Sequence, residues 1–137
     1  MTGALAKLRM IWAELARPSA QKADWFGWAA AQLAHAMIGV VLAGALAFLL
    51  PGLWAFTIAA LGYAAAKELP DFLRAPGWAA ARDATQDAAF VAAGAALAVA
   101  ISGAMPLLFL VAFCAALTGL GLGVAARLKQ QGGDHAG

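Results

Sequence analysis

From Trp25 to Ala66, and again from Ala88 to Ala126, the chain contains no Asp, Glu, Lys or Arg. Each run is about twice the ~20 residues of helix that cross a hydrocarbon core. A backbone in lipid finds no water for its N–H and C=O groups, so a crossing segment must satisfy them internally, as a helix does. Turn chemistry breaks each run once, at Pro51-Gly52 and at Ser102-Gly103 with Pro106. The expected fold is therefore all-α: a polytopic membrane protein with four transmembrane helices near 28–50, 53–69, 83–102 and 106–126.

Composition agrees. Apolar residues make up 64% of the 137 and charged residues 12%, with a mean hydropathy of +0.80. A soluble domain carries about 25% charge, so this chain has too little to cover a water-facing surface. The net charge of +2 is small and scattered, which excludes a nucleic-acid footprint. The single cysteine, Cys114, lies in an apolar run. It permits no disulfide within the chain and is expected as a small buried hydrophobe.

Charge also orients the chain. All nine Lys and Arg fall in the N-terminal segment, in 67–82 or in the tail, and the turns LPGLW and SGAMP carry none. With four spans those three regions share one side, which the positive-inside rule makes cytoplasmic. The expected location is a bacterial inner membrane with both termini cytoplasmic. Trp25, Trp28 and Trp78 fall at the cytoplasmic boundary and Trp54 at the other, as interface anchors do.

Residues 1–24 lack the apolar core and cleavage site of a signal peptide. Leu5, Leu8, Trp12 and Leu15 recur at helical spacing beside Lys7, Arg9, Glu14 and Arg17. That pattern predicts an amphipathic interfacial helix and linker, with Trp12 on its apolar face, lying on lipid or docking a partner. Residues 25–127 form the transmembrane domain, and 128–137 read as a disordered tail.

One short stretch runs against the rest. KELPDFLRAPGWAAARDATQD, residues 67–87, holds four of the seven acidic residues and three of the nine basic ones. It joins the cytoplasmic ends of spans two and three, where span one contributes Gln32 and His35. Gln32 and His35 are three apart, Glu68 and Asp71 three apart, Asp83 and Asp87 four apart, so each pair is expected to share a helix face. Gly39 and Ala43 continue the His35 stripe, and Gly94 and Ala98 continue the Asp83/Asp87 stripe. Small residues let helices approach closely, so the polar stripes are expected to point inward. A cluster of Gln32, His35, Lys67, Glu68, Asp71, Arg82, Asp83 and Asp87 follows, with His35, Glu68 and Asp87 the candidates for any catalytic role and Arg82 or Lys67 the counter-charge.

Three readings fit such a cluster: a hydrogen-bonded lock on helix register, a proton or divalent-metal site, or a contact surface for a partner. No strict metal motif is present, and no HExxH, CxxC, Gly-rich phosphate loop or GxSxG. No cofactor is evident. Gly119, Gly121 and Gly123 lie within a span and read as packing glycines.

An early His35, then Lys67-Glu68-x-x-Asp71, then Asp83-x-x-x-Asp87 with Gly94, resembles small bacterial membrane proteins of the VanZ-like and YfiM-like kind, over roughly 24–98. Relatives of that type also occur in phages and prophages. Where those families commonly place an Asp-Lys pair before the His, this chain has Ala31 and Gln32. The resemblance implies a fold and a place in the cell envelope more than a reaction.

The expected function is a structural or assembly subunit that forms a homo-oligomer or packs into a larger membrane complex. Small residues on spans three and four, Gly94, Ala98, Cys114, Thr118, Gly121 and Ala125, would serve close helix association. A holin-like lysis protein is one alternative. A membrane-embedded enzyme acting on lipid or envelope substrates at the inner leaflet is another.

Overall fold

A computed structural model describes Gly3, Ala6 and residues 24–134, with side chains through Gln131. Apart from Gly3, Ala6 and Asp24, the interfacial helix and linker expected over 1–24, with Trp12, lie outside the described residues, as does His135. Among the described residues the chain is all-helical: α1 (Trp25–Ala47), α2 (Gly52–Tyr63), a π-helical turn (Ala64–Glu68), α3 (Leu69–Arg74), α4 (Trp78–Ser102) and α5 (Pro106–Asp134). Among the described residues, three helices are long and apolar enough to cross a membrane: Trp25–Ala47, Trp78–Ser102 and the Pro106–Gln131 part of α5.

Each start and stop has a local cause. The Asp24 carboxylate accepts from the Phe26 and Gly27 amides at 3.0 and 3.1 Å, capping α1. Pro51 precedes α2, and Pro106 opens α5 at the position where its missing N–H costs nothing. Between α4 and α5, Ala104 takes φ 49°, a left-handed conformation unusual for a residue with a Cβ. The Met105 amide returns to the Ala100 carbonyl at 2.8 Å and closes that turn.

The third abutting piece is less regular. α2, the π turn and α3 follow one another without a break, with right-handed helical dihedrals at both junctions. The Leu69 amide reaches back five residues to the Ala64 carbonyl. The span expected to end at Pro70 therefore continues in helical form to Arg74. A proline lacks the amide for the ordinary ladder and its ring crowds the carbonyl four residues earlier. A widened turn just before Pro70 is one way for the helix to carry it.

The helical pieces alternate in direction. Arg127, near the end of α5, lies over the ring of Trp28, near the start of α1, at 4.0 Å. At the other end Gly52, opening α2, faces Val99 near the end of α4. Buried Ala43, Ala55, Ala59, Ala95, Ala98 and Val99 form the core of that end.

The tightest seam joins α1 and α4. A Cβ added at Gly39 would overlap the Val91 carbonyl oxygen, and one added at Gly94 would overlap the Ala36 carbonyl. The two glycines face each other's backbone, so the helices meet with no side chain between them. Ala43 and Ala98, also on this seam, are buried.

Several expectations are corrected here. Trp28 is not a boundary anchor: it is 5% exposed, edge-on to Phe90 at 6.2 Å, and its indole fills the space left by Gly123. Trp25, Trp54 and Trp78 are exposed. Cys114 is exposed rather than buried. Thr118, Gly121 and Ala125 share its outward face, because α5 packs inward through Ala112, Gly119 and Gly123 instead. The tail expected to be disordered from 128 is helical to Asp134, since Lys129, Gln130 and Gln131 are good helix formers and no proline interrupts them.

Candidate functional site

Four polar side chains from three helical pieces converge near the Trp28 end of the α1–α4 seam. α1 supplies Gln32 and His35 one turn apart on the face that continues to Gly39. α4 supplies Asp87, two turns before Gly94. The π turn supplies Glu68. His35, Glu68 and Asp87 each offer a ligand atom, and the three atoms lie within 4.8 Å of one another.

The contacts within the cluster are specific. The Gln32 amide nitrogen donates to Asp87 Oδ1 at 2.8 Å, tying α1 to α4 across 55 residues of sequence. His35 Nδ1 stands 3.4 Å from the same oxygen. That distance is within ion-pair reach, yet Nδ1 makes no hydrogen bond. The His35 ring meets Tyr63 edge-on at 5.9 Å between centroids. Glu68 is 6% exposed, and its Oε1 is buried without a hydrogen-bond partner. Gln32 Oε1 is likewise unpartnered.

The π turn places Glu68 here. Ala55 and Ala59 mark the buried face of α2. Regular helical spacing would carry that face through Tyr63 to Ala66. Instead Ala66 is exposed and Glu68 is buried. One inserted residue in the turn rotates the chain beyond it by about 100° at 3.6 residues per turn.

The remaining polar residues stand outside this group. Lys67 Nζ is 4.0 Å from Glu68 Oε1, too far for a hydrogen bond. Lys67 pairs instead with Asp71, whose other oxygen accepts from Arg74 at 2.7 Å. The hydrogen bond from Lys67, with the charge of Arg74 beside it, holds the Asp71 carboxyl below its usual range. Glu68 and Asp71, expected to share a face, therefore diverge: one is buried, and the other has a side chain 38% exposed. Arg82 and Asp83 are exposed. Arg82 thus does not supply the counter-charge, and Asp83 does not share the environment of Asp87.

Two features escaped the sequence. Tyr63 was not singled out, although it is the only tyrosine of the chain. Its five-residue spacing to Glu68 is the one signal that a widened turn would bring the two together. The Trp28–Arg127 contact was also missed, because nothing local links residues so far apart. Arg127 is further held by a 3.2 Å hydrogen bond to the Gly123 carbonyl.

No family model, no curated protein and no solved structure matches the chain. The reading of function therefore rests on the molecule itself.

Proposed function

We propose that this chain is a small integral protein of a bacterial inner membrane that serves as a structural or assembly subunit, packing against copies of itself or into a larger membrane complex. The segment 53–69 supplies a fourth crossing between α1 and α4, with Asp71 and Arg74 beyond its cytoplasmic end, and both termini face the cytoplasm. The confinement of all nine Lys and Arg to the N-terminal segment, 67–82 and the tail supports that topology.

The observation that carries the assembly reading is the outer face of α5. Cys114, Thr118, Gly121 and Ala125 recur at helical spacing and all face away from the other helices. A Cβ at Gly121 meets nothing within 4 Å. Lipid alone would cover large side chains equally well. A row of small ones lets a second helix come close.

Cys114 is the only cysteine and is exposed, so the native chain carries its own probe. Mild oxidation in membranes should yield a disulfide-linked dimer if copies meet through this face, and native mass spectrometry from mild detergent should show an oligomer or a stable complex. A strictly monomeric species with no co-purifying partner and no crosslink would refute the subunit reading.

A second reading, a membrane-embedded enzyme at the inner leaflet, is favoured by one feature. His35, Glu68 and Asp87 gather acid–base groups while leaving buried Nδ1 and Oε1 unpaired. A purely structural lock would be expected to satisfy them.

A further inference from the structure

We propose that His35, Glu68 and Asp87 form a binding site for a divalent transition-metal cation of the zinc, manganese or ferrous class. This goes beyond the assembly reading and does not depend on it.

The donor set is an imidazole nitrogen and two carboxylates, all within 4.8 Å of one another. A cation about 2.1 Å from each ligand holds neighbouring ligands about 3 to 3.4 Å apart and opposite ones about 4.2 Å apart. His35 Nδ1 and Asp87 Oδ1 already stand at 3.4 Å. The Glu68 donor lies within 4.8 Å of both, so binding would draw the three side chains together. Mixed imidazole and carboxylate donors suit zinc, manganese and iron better than magnesium, which keeps most of its waters, or copper(I), which seeks sulfur.

A second observation points to a ligand. Glu68 is more than nine-tenths buried, and its Oε1 has no hydrogen-bond donor. Tyr63 stands within hydrogen-bond reach of the Glu68 carboxylate, but a buried carboxylate oxygen left without a donor is costly. The nearest cation, Lys67, is 4.0 Å away and bound to Asp71. Among the three candidate ligands, His35 Nδ1 is the other unpartnered atom. A single dication satisfies both orphaned atoms and balances the two carboxylates together.

The surroundings are those of a built site. Gln32 donates to Asp87 Oδ1 at 2.8 Å and orients that carboxylate from the neighbouring helix, as outer-shell partners of metal ligands do. Tyr63 flanks the imidazole. Glu68 also lines an open cleft of about 370 Å³ bounded by Ala64, Phe72, Ala81 and Thr85.

The test uses the full chain, purified in mild detergent, stripped with a chelator and dialysed. Zn²⁺, Mn²⁺ and Mg²⁺ are added separately, and retained metal is measured after gel filtration alongside thermal unfolding. About one equivalent of Zn²⁺ or Mn²⁺ per chain is expected, with a rise in Tm of at least about 5 °C at a hundredfold excess over Kd and no retention of Mg²⁺. E68Q, D87N and H35Q should each lower retention at least tenfold, while H135Q should leave it unchanged. If the cluster variants fail to fold, the Co²⁺ form of the native chain decides. Its visible absorption should show nitrogen and oxygen ligands and should be displaced by Zn²⁺. Folded native chain that retains less than about a tenth of an equivalent of Zn²⁺ and Mn²⁺ with unchanged Tm would overturn the proposal, leaving a hydrogen-bonded or proton-sharing lock. Retention undiminished in folded E68Q and H35Q would overturn it equally.

Discussion

Replacing Gly94 by alanine adds one methyl group, and the structure says where it goes. The new Cβ would overlap the carbonyl oxygen of Ala36 and crowd its C and Cα. These are backbone atoms of α1, so no rotamer change relieves the clash and the helices must separate. Forcing extra carbon into a packed interior costs about 1–3 kcal/mol, and rigid backbone on the far side places this site near the top of that range. Alanine's better helix propensity returns about 1 kcal/mol. The net expectation is a loss of about 2 kcal/mol, a roughly thirtyfold shift toward the unfolded state at about 1.4 kcal/mol per decade. G39A should behave alike, because its Cβ meets the Val91 carbonyl. Gly44 and Gly62 are the controls: a Cβ there meets nothing within 4 Å, so G44A and G62A should be neutral or slightly stabilising. Reversible unfolding in detergent micelles, followed by far-UV circular dichroism, compares all four. G94A melting at or above G44A would refute the backbone-to-backbone seam. Because the same seam carries the Gln32–Asp87 hydrogen bond, separation should also disturb the polar cluster, seen as weaker metal retention in G94A than in G44A.

Two further outcomes follow from the opposite ends of the burial scale. Trp28→Ala removes an indole enclosed by Phe90, Gly123 and Arg127 and should cost about 3–5 kcal/mol, with Trp28→Phe milder; melting of W28A equal to the native chain would place this side chain in lipid instead. Asp71→Asn removes an exposed carboxylate from Lys67 and Arg74 and should cost less than about 1 kcal/mol at neutral pH. The folded-state pKa of Asp71 is depressed, so its contribution is complete above the unfolded carboxylate value of about 4 and is lost as pH falls through the folded value. The Tm difference between native and D71N should therefore shrink on acidification below that range, and a difference that widens there would contradict the pairing.

The fold was largely legible because charge exclusion and turn residues are one-dimensional signals. The breaks at Pro51-Gly52 and Ser102-Gly103 fall where helices end, and helix is the state lipid permits. The glycines at 39 and 94 were found from spacing alone, since three- and four-residue intervals describe a straight helix well. Facing was harder. The small residues Cys114, Thr118 and Gly121 read as a face for close helix association, and the stripe that packs within the chain is the other one, through Ala112, Gly119 and Gly123. Two small-residue stripes run along that helix, and composition cannot say which meets a neighbour. Trp28 misled for a similar reason: a tryptophan at a boundary position is usually wet on one side, and only the distant Gly123 makes room to bury this one.

The polar cluster shows where periodicity itself gives way. Extending the buried face of α2 from Ala55 and Ala59 by regular turns selects Ala66, a residue that needs no partner. The widened turn before Pro70 selects Glu68 instead and buries its carboxylate. Pro70→Ala would restore the amide and remove the ring that crowds the preceding carbonyl, letting 64–68 relax to an ordinary α-helix. Glu68 would then swing about 100° away from His35 and Asp87, and the fold would keep its core. Pro70 and the widened turn before it thus set a carboxylate opposite His35 and Asp87, the placement the proposed site requires.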